Sequence, residues 1–219
     1  MTPQFSNLVY PVITYALDLK DRLSNGETPD FETEQRELLN RLTSEAEGRR
    51  QTDFSGDGRE YLGVRYALAC WMDELFIVHS PWSDRWNDRK LEVTLYGSND
   101  RAWKFWDQAD LVLRRPTAPK VSQPPGPDAI EAFFLCVVLG FRGKYIDSPG
   151  KVREYVDDMR AQASKNSAWQ SPREVGVETN VEPLTGRDSL RRSFLVYGAT
   201  SLVVTFIFFV ILQVTVLSK

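Results

Sequence analysis

Twenty-four consecutive residues at 194–217, FLVYGATSLVVTFIFFVILQVTVL, carry no charged side chain. Coiled into a helix, such a run is about 36 Å long at ~1.5 Å per residue. The hydrocarbon core of a bilayer is roughly 30 Å thick, so the run spans it with some tilt. A helix also satisfies its own backbone amides, which lipid cannot do. The alternative, a buried core helix, conflicts with the rarity of uncharged runs this long inside soluble proteins. The run therefore predicts a transmembrane anchor over 193–217, with the chain held by its tail.

The flanks set an expected orientation. Arg187, Arg191 and Arg192 precede the span and only Lys219 follows it, which places the N-terminal side in the cytoplasm. Met1-Thr2-Pro3-Gln4 has neither a basic n-region nor an apolar h-region, so no signal peptide is expected. The expected layout is a cytoplasmic helical domain over 1–163, a juxtamembrane linker over 164–192, the anchor, and a periplasmic tail of residues 218–219. A formal net charge of −3 lacks the basic footprint of nucleic-acid binding. Cys70 and Cys136 lie in apolar runs and read as two buried free thiols, with a disulfide between them as the alternative.

Helical periodicity runs through the soluble part. Leu8, Val12, Tyr15, Ala16, Leu19 and Leu23 mark one apolar face, with Asn7 as a candidate cap and Pro11 in the first turn. After the turn signal Asn25-Gly26-Glu27-Thr28-Pro29, a second helix is expected over 30–50, burying Phe31, Leu38, Leu42 and Ala46. Residues 53–58 read as a polar, Gly-rich linker. They have the outline of a calcium loop, but Val64 stands where the bidentate Glu belongs. A third helix over 59–78 is apolar nearly all round and should be central and buried. Asp73 and Glu74 interrupt it, about 100° apart.

His79-Ser80-Pro81-Trp82 ends that helix. Trp103 and Trp106, with Ala109 and Leu113, recur at helical intervals and are expected in the core of a helix over 101–114. Residues 91–96 alternate like a strand yet stand among helices, so both readings stay open. Residues 115–127 hold five prolines and read as an extended surface loop. A buried helix follows over 130–139, ended by Gly140. The segment 140–145 lacks the spacing of a phosphate loop. Ser148 caps a last helix with Pro149 at its first position, apolar at Val152, Tyr155, Val156 and Met159.

Catalytic patterns are sparse. His79 is the single histidine, so there is no His-based metal cluster, and no Gly-x-Ser-x-Gly occurs. No cofactor, metal or small-molecule substrate is expected. The acid pair Asp73/Glu74 is the one candidate for a membrane-tethered hydrolase.

The order of features resembles the DotU/TssL family of bacterial secretion systems. The resemblance is carried by Tyr66-Ala67-Leu68-Ala69-Cys70-Trp71-Met72-Asp73-Glu74 with Trp82 and Trp86 behind it. It continues through Leu95-Tyr96-Gly97, Phe105 and Trp106, then Leu139-Gly140-Phe141-Arg142-Gly143-Lys144-Tyr145, and the terminal span. It covers about 7–217. Tyr96 departs from the family's usual Phe. The peptidoglycan-binding domain that follows the anchor in some members is not expected here.

The resemblance implies an all-α fold. Its cytoplasmic domain would be two small helical bundles of about seven or eight helices, hook-like with a cleft, plus one C-terminal transmembrane helix in the bacterial inner membrane. It implies a structural part of the type VI secretion membrane complex, or a DotU-type stabilising part of a type IVB system, and not an enzyme. The implied partners are an IcmF/TssM-like inner-membrane protein, a TssK-like baseplate protein and further copies of the chain. On that footing Asp73 and Glu74 are expected to form an acidic docking site at the cleft, with Trp82, Arg142 and Lys144 as further partner-binding residues. The competing expectation is an internal ion pair, with Arg142 as the cation. In the span, the small residues Gly198, Ala199 and Ser201 and the amide of Gln213 are expected to favour self-association.

Overall fold

Thr2 and Pro3 start the first helix five residues before the apolar stripe does. Thr2 Oγ1 accepts from the Phe5 amide, and Pro3 takes the first helical position, where a missing N–H costs nothing. Helix α1 therefore runs Pro3–Ser24 and Asn7 is not its cap. Pro11 sits inside it on the exposed side, where water can take up the carbonyl it leaves unpaired. The computed structural model describes residues 1–166, apart from 47, 58, 79, 117 and 119–124, and these described residues lie in one compact unit.

Helix α2, Phe31–Leu42, is capped by Asp30, which accepts from the Thr33 amide at 2.9 Å. The single helix expected over 30–50 is broken. Thr43 closes α2, and Gly48, at φ +57°, opens a separate helix α3, Arg49–Ser55. The expected linker at 53–58 is likewise corrected. Asp53 and Phe54 are buried within α3, and Phe54 packs edge-on against Phe5. The chain then turns back so tightly that Gly56 and Gly63 face each other. A Cβ on Gly63, at φ +82°, would come within 2.4 Å of both the Phe54 carbonyl oxygen and the Gly56 nitrogen.

Helix α4, Gly63–Val78, begins at that glycine and is buried on nearly every side. It packs against α1, α2 and α3 and against the helices that follow it: α5 (Ser83–Asp88), α6 (Leu91–Tyr96), α7 (Arg101–Leu113) and α8 (Pro127–Val138). The stretch 91–96 is thus a helix, closed by Gly97 in the left-handed conformation. A 3-10 turn, Gly143–Tyr145, leads to α9, Pro149–Asn166, which lies on α8. The buried apolar side chains form one cluster from Phe5 to Ala163, and every helix among the described residues is α or 3-10.

One expected core residue is outside it. Trp106 is buried, but Trp103 is 65% exposed. Phe105, Trp106, Ala109 and Val112 supply the inward face of α7, while Trp103 and Asp107 share the outward one. Among the described residues no helix is long and apolar enough to cross a membrane, and 194–217 lies outside them.

The Gly56–Gly63 approach gives a direct test. Gly63→Ala has no room for its methyl and an unfavourable φ, and strained backbone alone costs about 1–3 kcal/mol. Its melting temperature should fall by several degrees. Exposed Gly150, with nothing within 4 Å of where a Cβ would stand, should accept Ala with little change.

Candidate functional site

The two acids that interrupt α4 point to different places. Asp73 is fully buried. Its Oδ1 accepts from the Trp86 indole N–H and the Leu91 amide, both at 2.8 Å, and its Oδ2 accepts from the Glu92 amide at 2.9 Å. The carboxylate thus holds the first two amides of α6 and the ring that anchors α5. Burial raises its carboxyl to about 6, while those three donors and the charge of Arg101 pull it down. Both oxygens are occupied inside the core. Neither reaches solvent. The docking and hydrolytic expectations for Asp73 give way to an internal role.

Glu74 points in another direction, about 100° round the helix, and is half-buried. Its Oε1 accepts from the Arg142 amide at 2.6 Å and its Oε2 from the Gly143 amide at 3.0 Å. The expected internal contact with Arg142 exists, but through the backbone and not as an ion pair. The Arg142 guanidinium instead donates to the carbonyls of Val137 and Phe141, at 2.7 and 2.8 Å, at the C-terminal end of α8, where a cation suits the helix dipole. Glu74 also borders a cavity of about 230 Å³ lined by Lys20, Trp71, Leu139, Gly140 and Phe141. Of the expected docking pair, it alone has open surface.

The other candidate residues divide in the same way. Trp82 is buried between Phe31 and Phe76 and offers no face to a partner. Lys144 follows directly on the clamped turn. Its Nζ lies 3.6 Å from Asp107 Oδ1 and 5.2 Å from the centre of the exposed Trp103 ring. Gly198, Ser201 and Gln213 lie outside the described residues, as does His79.

Sequence reasoning missed Glu92. It is fully buried and accepts from the hydroxyls of Tyr66 and Ser98, at 2.8 and 2.7 Å, and from the amides of Asp100 and Arg101, at 3.0 and 3.1 Å. It therefore holds the start of α7 as Asp73 holds the start of α6. Its only sequence signal is an acid two residues after Lys90, which ordinary surface helices share. Cys70 and Cys136 are both free and buried, and burial pushes both thiols up, which leaves them unreactive. Among the described residues no three His, Cys, Asp or Glu side chains are placed to hold a metal.

Two outcomes follow from the acids. Asp73→Ala strands three buried donors and should cost about 3–5 kcal/mol, since each orphan costs ~1–3 kcal/mol in part offset by relaxation. Because the folded carboxyl titrates near 6 and the unfolded one near 3.8, this group favours folding fully below the unfolded value. That contribution is lost as the pH rises through 6. Denaturant melts should show the advantage of wild type over Asp73→Ala narrowing between pH 4 and 6 and steady above. Glu74→Gln turns an NH2 toward a backbone N–H, so amide hydrogen exchange at Arg142 or Gly143 should quicken about tenfold or more. Unchanged exchange at both amides would refute the clamp.

Comparisons with known proteins agree with this fold. The family model described as type VI secretion system protein DotU matches residues 4–215. The solved cytoplasmic domain of TssL from Acinetobacter baumannii is similar in fold. The TM-score is 0.53 at 17% identity, covering 74% of this chain and 98% of that one. No curated protein sequence matches the chain. With the match running over nearly its whole length, the chain belongs to the DotU family of type VI secretion system proteins, whose members are structural components and not enzymes.

Proposed function

We propose that this chain is the inner-membrane anchor point of a type VI secretion machine, with a cytoplasmic helical domain that docks baseplate components onto the membrane. The observation that carries the reading is the Glu74 clamp. A half-buried carboxylate fixes a short backbone turn beside a cavity of about 230 Å³, and the next residue, Lys144, leaves that turn to pair with exposed Asp107. A rigid turn beside an open recess is suited to recognition, because little is left to order on binding. The hook-like division into two bundles belongs to the same proposal, with its cleft at the recess between α4 and the 139–141 turn.

The remainder of the reading rests on the sequence outside the described residues. The run 193–217 serves as the single-pass anchor, with residues 218–219 in the periplasm. Gly198, Ser201 and Gln213 give it a face for self-association by close packing and an interhelical hydrogen bond. An IcmF/TssM-like membrane protein and a TssK-like baseplate protein are the partners.

Capture from native membranes tests this reading. Full-length chain with its anchor should retain both partners, and Lys144→Glu should weaken baseplate retention about tenfold, as loss of an interface charge does, with its melting temperature within a few degrees of wild type. A thiol-reactive, membrane-impermeant label at a cysteine placed near Met1 should react only after lysis. Labelling of intact cells, or capture of neither partner, would contradict the proposal.

A further inference from the structure

The outward face of α7 carries a tryptophan that the fold neither buries nor leaves loose. Trp103 is 65% exposed and Asp107, one turn on, is exposed beside it. Exposing an indole forfeits about 25 cal/mol for each Å² that burial would have taken from water. Its ring is nevertheless held. Lys144 Nζ lies 5.2 Å from the ring centre and 3.6 Å from Asp107 Oδ1. Lys144 in turn lies on the turn whose Arg142 and Gly143 amides are clamped by Glu74. The base of that turn is fixed as well. Trp106 donates to the Arg142 carbonyl at 3.0 Å, and Gly143 sits so close to Ala102 that a Cβ would fall 2.7 Å from the Ala102 carbonyl oxygen. A half-buried acid on α4 thus sets the position of a cation on a surface indole.

We propose that Trp103, flanked by Lys144 and Asp107, is the anchor of the protein-docking surface, and that Glu74 serves it as a positioning residue. The inference rests on the docking function proposed above and names its contact. Tryptophan is the residue most enriched among those that dominate binding energy, and a ring fixed before binding loses little entropy on contact. The charges identify the occupant. Lys144 and Asp107 cancel, so the locus exerts no net pull on an anionic bilayer. Its complement is a protein recess with apolar walls, rimmed by one acid to meet Lys144 and one base to meet Asp107. Glu74 acts through the turn and touches no partner, so its removal lowers affinity by misplacing Lys144.

The test uses full-length chain in neutral-lipid nanodiscs, titrated with purified TssK-like baseplate protein. Trp103→Ala should weaken binding at least ~30-fold, the loss that a ~2 kcal/mol anchor gives, and Trp103→Phe should recover part of it. Val93→Ser, which removes another exposed apolar side chain elsewhere, should bind as wild type. Glu74→Gln should weaken binding in wild type and have little further effect in Trp103→Ala. Equal affinity of Trp103→Ala and wild type overturns the inference alone, as does equal loss in Val93→Ser. Wild type that does not bind the baseplate protein overturns the docking function and the inference with it. Loss by Trp103→Ala of binding to phosphatidylglycerol vesicles, with the protein partner still bound, makes the face a lipid contact and overturns the inference.

Discussion

A carboxylate with no water against it has to be satisfied from within, and Asp73 is satisfied largely by backbone. Two of its three donors are the first amides of α6, and the third is the indole of Trp86, which stacks on Phe76 at 4.3 Å. Helices of six residues are not stable alone, and α5 and α6 are both that short. Their place against α4 depends on this one buried acceptor, together with the burial of Trp86 and Leu91. Glu92, whose own amide is among the donors, passes the arrangement on to the start of α7. Asp73 and Glu92 thus link α4, α6 and α7 through carboxylate-to-amide bonds. Such bonds are directional and demand a fixed register, which apolar packing alone enforces less strictly.

Glu74 applies the same device on another side of α4. Adjacent residues on a helix diverge by about 100°, so one pair of acids can order two separate regions. Asp73 orders the α5–α6 corner and Glu74 orders the turn that leaves α8. The first is sealed in the core and the second borders open space, and this difference assigns one to architecture and leaves the other beside the surface proposed for recognition. A cluster converging on a metal or a substrate would need side chains pointing inward to a common point, and these point apart.

The helical class and the centrality of α4 were legible in the sequence, because each rests on a pattern of side chains. What the acids bind was not. Four of their five donors are backbone amides 18 to 69 residues away, and an amide has no letter in the sequence. Arg142 was correctly placed near the pair for the wrong reason, since its peptide N–H makes the contact and its guanidinium serves the end of α8. Trp103 failed differently. Spacing of three residues groups it with Trp106, but Phe105 and Val112 rotate the buried face of α7 away from it. The break between α2 and α3 carries no proline, and Gly48 at positive φ marks it. The early start of α1 was readable from Thr2-Pro3, a cap and first-turn pair that the apolar stripe obscured.

The dependence of the short helices on Asp73 is most directly measured by native-state hydrogen exchange at Leu91 and Glu92. If the buried carboxylate holds them, both amides exchange only through global unfolding, with the same free energy as amides in the middle of α4. Exchange at those two positions at the rate of a fraying surface helix, with α4 still protected, would contradict the central role of the Asp73 carboxylate.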